Sequence, residues 1–352
     1  MESTMNKIHV MALGIGCTLF FLFGSAPSSA QEPIYNLILE GGGMKGMAYP
    51  GALLELEKRH MLDSVRKIAG TSSGAINATV LALGYTPKEL AAISYQTPYH
   101  KFNQKGFPFI GPAVRMRTKY GWYSSERFTT MLEEVVGRKV GNKDFTFAML
   151  FDSAQANPSF KELYITGTSI DQQKTILFSH LTFPTMRIVD AVRISMTIPF
   201  YFETIFLNPD GTIVSHKDRT DSTLLMVDGG LAMNYPIHVF DTFIDDGTCS
   251  YFLPNKNTLG LRLDRSEQVV FDEAGFGIAP VNVAGLGEYM SAFYNMSFEK
   301  INRISLNAAD WERTISIDTK NFNSKVRKLS AEEKDTLLKS GHNAVIRFLE
   351  KT

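Results

Sequence analysis

Three shortages bound what this chain can be. Only two cysteines, Cys17 and Cys249, occur in 352 residues, too few for a disulfide framework. Neither charge is in excess: 36 Lys and Arg face 36 Asp and Glu. A nucleic-acid binder needs a basic surplus on at least one face, so no nucleic-acid partner is expected. The apolar run from Val10 to Phe23 covers fourteen residues, short of the roughly 20 needed to span a bilayer. Internal repeats, low-complexity tracts and the blocks of alternating strands that build a membrane barrel are also lacking. Enough is left for a core, because 44% of residues are hydrophobic and 20% charged, which excludes a disordered chain.

The short apolar run has the grammar of a secretory signal. Lys7 and His9 precede it, and the small residues Gly24 to Ala30 follow, with Ser28 and Ala30 at minus three and minus one of a cut after Ala30. Residues 1–30 are therefore expected to be a signal peptide, and residues 31–352 an exported chain, periplasmic or secreted. The cut removes one acid (Glu2) and one base (Lys7), so the charge stays balanced. It also removes Cys17, leaving Cys249 in a polar turn with no partner for an internal disulfide.

Along the mature chain, Ile34–Leu39 reads as a buried strand and is followed by Gly41, Gly42, Gly43 and Gly46. A helix from about Met47 to Arg59 tolerates Pro50 in its first turn. Val65–Ala69 reads as a second strand, and a helix then runs to Leu83, stopped by Gly84. This strand, tight turn and helix, repeated, predicts a mostly parallel α/β sheet. Leu163–Thr168, Thr175–Ser179, Leu224–Val227 and Leu259–Leu263 read as further strands. Helices are expected at Ile188–Met196, across 281–306, and from a Ser330/Glu333 capping box to about Leu349. One domain with a helical C-terminal region accounts for residues 31–352.

Three motifs carry chemistry. Glu40-Gly41-Gly42-Gly43-Met44-Lys45-Gly46 matches a dinucleotide loop, but no acid ends the second strand, and a Walker A loop fails because Lys45 precedes the last glycine. What remains is general physics. Glycine permits φ > 0, and backbone N–H groups left unpaired at a helix start can hold an anion, including the oxyanion of acyl transfer. Gly70-Thr71-Ser72-Ser73-Gly74 is a G-x-S-x-G turn between strand and helix. It holds Ser72 out at the carboxyl end of the sheet as a candidate nucleophile, while Ser73 is expected to cap the helix. Met226-Val227-Asp228-Gly229-Gly230 puts a lone acid at the end of an apolar strand, on the same edge as Ser72 if the strands are parallel. Burial would make that carboxylate basic enough to accept a proton directly. Read as turns, each motif alone is ordinary. His238 and His342 follow Asp228, so a Ser-Asp-His order stays open, although no histidine stands at a strand end.

Together and in this order, the motifs resemble the patatin-like phospholipase family. The segments Met47–Leu53, Gly121–Ser124, Tyr164–Thr168 and Ala191–Phe200 look like its bacterial branch. The resemblance implies a three-layer patatin-like α/β fold with helices flanking the sheet. It also implies a Ser72–Asp228 dyad without histidine, the elbow glycines Gly70 and Gly74, and an oxyanion hole in the loop of Gly41, Gly42, Gly43, Lys45 and Gly46. Lys45 would fix the loop's shape, and Arg193 would make a structural ion pair. The implied substrate is a phospholipid or other lipid ester, with no cofactor and no metal. Lys101–Arg117, with Phe102, Phe107, Phe109 and Ile110 among glycines and prolines, is either a flap offering peripheral membrane contact or a loop covering the core. Two alternatives stand beside a lipid acyl hydrolase: a Ser-Asp-His esterase, and a non-catalytic lipid-binding protein.

Overall fold

The structure, a computed structural model, describes residues 32–102, 110–285, 306–322, 324 and 326–351, with residues 289, 292, 293, 296, 299 and 303 singly. The expected signal peptide lies outside the described residues, as do Phe107 and Phe109 of the Lys101–Arg117 segment. The six single residues are helical, but the helix expected across 281–306 does not begin at Val281: residues 281–285 are irregular, as is Leu306.

Thirteen strands are described: β1 (Asn36–Leu39), β2 (Lys67–Gly70), β3 (Gly121–Tyr123), β4 (Glu162–Ser169), β5 (Lys174–Phe178), β6 (Phe200–Phe202), β7 (Ile205–Leu207), β8 (Ile213–Val214), β9 (Leu224–Asp228), β10 (Thr242–Asp245), β11 (Ser250–Leu253), β12 (Thr258–Asp264) and β13 (Thr314–Asp318). Nine form one sheet in the order β13-β12-β1-β2-β4-β9-β7-β8, with β5 also on β4. The run from β13 to β4 is parallel, while β5, β9, β7 and β8 join antiparallel. The sheet is thus mixed, with its parallel half built from the strand-turn-helix repeats. Every residue of β1 is buried; Leu37 and Leu39 enter the main core and Ile38 a second cluster with Ala69, Tyr164 and Tyr235. Both faces are covered, which is why β1 reads as a continuous apolar run.

Helix α1 (Tyr49–Lys58) follows a 3-10 turn over Gly43–Ala48, and Pro50 sits in its first turn. The Ser330/Glu333 box forms as expected: Glu333 N donates to Ser330 Oγ at 3.1 Å, and Ser330 N to Glu333 Oε2 at 2.8 Å. The helix it starts, Ala331–Lys351, lies directly on α1. A Cβ on Gly51 would collide with Leu338 O and one on Gly341 with Ala48 O. Two glycines, each costing about 1 kcal/mol in a helix, let these backbones touch and brace the turn that carries the glycine loop.

Candidate active site

Ser72 stands where β2 turns into helix α2 (Ser73–Ala82), at φ 52° and ψ −122°. That left-handed backbone is strained for a residue with a side chain, and strain of this kind gathers at functional turns. Neither elbow glycine has positive φ. Their role is close approach: a Cβ on Gly74 would strike Leu39 O, and one on Gly70 would lie 2.6 Å from Gly74 C. The capping expected of Ser73 is not observed. Ser73 is the first residue of α2, one past the N-cap position held by Ser72, and its Oγ instead accepts the Gly42 N–H at 2.9 Å.

Asp228 reaches Ser72 by a route other than parallel strands. Ile165 of β4 faces both Gly70 of β2 and Phe178 of β5, whereas Gly167 faces both Asp228 of β9 and Ile176 of β5. A strand has two edges, so β2 and β9 share one edge of β4 and run head to head. Their carboxyl ends meet in the gap between those registers. There Ser72 Oγ donates to Asp228 Oδ2 at 2.9 Å, and Asp228 Oδ1 accepts from Gly230 N at 2.7 Å. The parallel arrangement expected for β9 is therefore corrected, with the shared edge bringing the pair together instead. Asp228 is 4% exposed. Burial pushes its carboxyl up to about 7, against the two hydrogen bonds that favour the ionised form.

Ser195, the last residue of helix Ile188–Ser195, and the two residues after it bracket the pair. Ser195 Oγ accepts the Ser72 N–H at 2.8 Å, and Thr197 O accepts the Asp228 N–H at 2.7 Å. Met196 Sδ lies 3.5 Å from Ser72 Oγ. Arg193, one turn back, donates to Ser125 Oγ at 2.7 Å and pairs with Glu203 at 3.6 Å, a tie between segments.

The glycine loop passes beside the nucleophile; a Cβ on Gly41 would stand 3.1 Å from Ser72 Cβ. Its amides are mostly committed, which narrows the expected oxyanion set. Gly41 N donates to Asn234 O at 3.1 Å, Lys45 N to Gly42 O at 3.1 Å, and Met44 N to Ser324 O at 3.3 Å. Gly42 N is held only by the movable Ser73 hydroxyl, and Gly43 N, at φ +54°, has no acceptor among the described residues. Lys45 Nζ donates to Leu263 O at 2.9 Å. Glu40, just before the loop, is fully buried. Its carboxylate accepts from Leu263 N at 2.8 Å and pairs with Arg262 at 3.4 Å, yet burial still raises it to about 7.

Beside the loop lies a cavity of about 40 Å³ with walls that include Met47, Ile76, Phe102, Phe128, Met196 and Phe202. Phe102, at the start of the segment read as either a flap or a core-covering loop, is buried edge-on against Phe128 at 5.6 Å, as the second reading has it for this residue. His238 Nε2 pairs with Asp310 Oδ2 at 2.9 Å and His342 Nδ1 with Glu55 Oε2 at 3.2 Å, so neither completes a triad with Asp228 here. His238, Asp241 and Asp310 converge within 4.8 Å. The Arg313 guanidinium, 2.6 Å from Asp310 and 2.7 Å from Asp241, takes the place a cation would fill.

Residues 37–241 match the patatin-like phospholipase family. The chain belongs to that family. An uncharacterized protein of Acanthamoeba polyphaga mimivirus is 30% identical over 267 residues, covering 70% of this chain and 81% of that relative. A protein of Invertebrate iridescent virus 6 named a "probable lipid hydrolase" is 27% identical over 221 residues, 62% of this chain and 67% of that one. The crystal structure of VipD from Legionella pneumophila has a TM-score of 0.54 at 14% identity, covering 90% of this chain and 67% of that chain. The patatin-like fold, a mixed α/β sheet flanked by helices, is thus shared. Within the stretch matched to the patatin-like phospholipases lie the glycine loop, the elbow and Asp228, and also residues the motifs did not single out. Ser195 and Thr197 sit where the sequence shows only a helix end and a likeness to the family, with no chemical motif. Asn234, six residues beyond Asp228, has no motif of its own.

Proposed function

We propose that this protein is an exported lipid acyl hydrolase of phospholipase A or lysophospholipase type, from the bacterial branch of its family, working through a Ser72–Asp228 dyad. The observation that carries the reading is the buried 2.9 Å hydrogen bond from Ser72 to Asp228. Asp228 Oδ2 takes the hydroxyl proton as Ser72 Oγ attacks the ester carbonyl. The oxyanion accepts from Gly42 and Gly43 N–H, the first exchanging its Ser73 partner for substrate. The leaving alcohol recovers the proton, and the acyl-serine remains. Water then attacks, again giving its proton to Asp228, which passes it to Ser72 Oγ as the acyl bond breaks and fatty acid departs. The acyl chain enters the apolar cavity once Phe102 and Phe128 part, and the lipid is taken from a membrane surface by peripheral contact. Among the described residues no helix is long and apolar enough to cross a membrane. Export rests on residues 1–30; the exported chain is expected to begin at Gln31. Intact Met1 on exported protein would remove the cleavage, and retention of the full chain in the cytoplasm would remove the export.

Because the base must be ionised, log kcat/KM is expected to rise about one unit per pH unit below about 7 and to level off above it. The measurement is fatty acid release from phosphatidylcholine and lysophosphatidylcholine vesicles by the full chain. His238→Ala and His342→Ala should match wild type throughout. No release at any pH would sink the assignment, and loss of activity in either variant would restore the triad.

A further inference from the structure

We propose that Asn234 is a positioning residue for the oxyanion site, setting both the direction and the donor strength of the Gly42 amide. The inference rests on the hydrolase reading above. Asn234 grips the glycine loop at both ends of one residue. Its backbone carbonyl accepts Gly41 N–H at 3.1 Å, and its side-chain Nδ2 donates to Gly41 O at 3.0 Å. Its Oδ1 fills the space a Cβ on Gly41 would need, so a glycine there is what admits the clamp. Gly41 C=O and Gly42 N–H belong to the same peptide unit. A hydrogen bond onto that carbonyl polarises the unit and makes the N–H a better donor, by about 10–30% per bond in condensed phase. The side-chain bond orients this unit and the backbone bond holds the preceding Glu40–Gly41 peptide, so together they set the direction in which Gly42 N–H points.

The clamp is itself held. Asn234 Nδ2 lies 3.3 Å from Glu40 Oε1, and Glu40 Oε2 is fixed by Leu263 N at 2.8 Å. One residue earlier, Met233 O accepts from Thr71 Oγ1 at 3.0 Å, and Thr71 immediately precedes the nucleophile. The seven residues from Asp228 to Asn234 therefore carry the base at one end and hold the loop and the elbow at the other. The relative placement of nucleophile, base and oxyanion donor depends on this short piece of chain.

The experiment compares full-length wild type with Asn234→Ala, Asn234→Asp and Tyr235→Phe. The readouts are kcat and KM on a p-nitrophenyl acyl ester, the rate of fluorophosphonate labelling, and Tm. Asn234→Asp keeps the shape and one acceptor but loses the donor to Gly41 O. Tyr235→Phe removes a neighbouring hydroxyl bonded to Thr314 at 2.7 Å and serves as the structural control. Removing an oxyanion donor outright costs about 10²–10³ in kcat. Weakening and misdirecting one should cost about ten- to thirtyfold in kcat for both Asn234 variants, with KM within about twofold and labelling slowed in parallel. Tyr235→Phe should lower Tm alone. If Asn234→Ala does not fold, Asn234→Asp carries the test. Wild-type kcat in a folded Asn234 variant, or a loss confined to KM, overturns the clamp while leaving the hydrolase reading intact. A wild type that neither hydrolyses ester nor takes the label removes the hydrolase reading and the clamp with it.

Discussion

Ser72→Ala is expected to take up no fluorophosphonate and to hydrolyse esters at least about 10⁴-fold more slowly than wild type, while staying folded. The rate loss follows from removing the hydroxyl that donates to Asp228; Ser73 Oγ accepts from Gly42 N instead. The fold should survive because alanine occupies the same strained backbone at φ 52° no worse than serine does. The lost hydrogen bond to Asp228 costs about 1 kcal/mol. Ser72→Gly provides a second comparison, since glycine accepts that conformation freely and should recover about 1 kcal/mol of strain relative to alanine. Labelling of wild type but not of either variant assigns the nucleophile. Wild-type hydrolysis by the folded alanine variant would move the chemistry elsewhere. Vesicle binding with no hydrolysis by wild type would leave the lipid-binding alternative.

What the sequence announces is what short stretches of chain decide for themselves. The Ser330/Glu333 box, Pro50 in a first turn and the apolar run of β1 each depend on neighbours a few residues away, and each appears where expected. Thr86 with Glu89 forms a similar box at the start of helix Pro87–Gln96, equally legible from the three-residue spacing. The polar turn around Cys249 is the exposed tip of the β10–β11 hairpin, with Gly247 at φ +80°. The direction of β9 could not be read in this way, because it is set by pairing with β4 and β7, and an apolar run looks the same whichever way it pairs. The glycine cluster misled for a related reason. Local sequence suggests φ > 0, yet only Gly43 of the loop has it; Gly41 and Gly74 are there because Asn234 and Leu39, remote or on another strand, press against them. Local sequence places Ser73 as a cap for the nearest helix end, whereas a loop 31 residues away claims its hydroxyl.

Asp228→Asn is expected to abolish hydrolysis and, at neutral pH and above, to make the protein more stable. The activity loss is about 10⁴-fold, since a carboxamide cannot accept the Ser72 proton. The gain in stability follows from linkage. The carboxyl titrates at about 7 in the folded protein against an ordinary 3.8, so the unfolded chain loses its proton first as pH rises. Stability present below about 4 is progressively lost between about 4 and 7 and lost no further above, to a total of about 4 kcal/mol. Asparagine has no such cost: its Oδ1 can still accept from Gly230 N–H and its amide can donate to Ser72 Oγ. Glu40 is also raised by burial and adds a loss of the same sign to both proteins, so the difference between them isolates Asp228. Urea unfolding at pH 4, 6 and 8 should show a variant advantage that is small at pH 4 and grows at each step. A variant less stable than wild type at pH 8, or one that keeps its rate, would contradict the assignment of Asp228 as a desolvated base. If stability rises as activity vanishes, the burial that makes this carboxylate basic is retained for its chemistry, since the fold would be firmer without the charge.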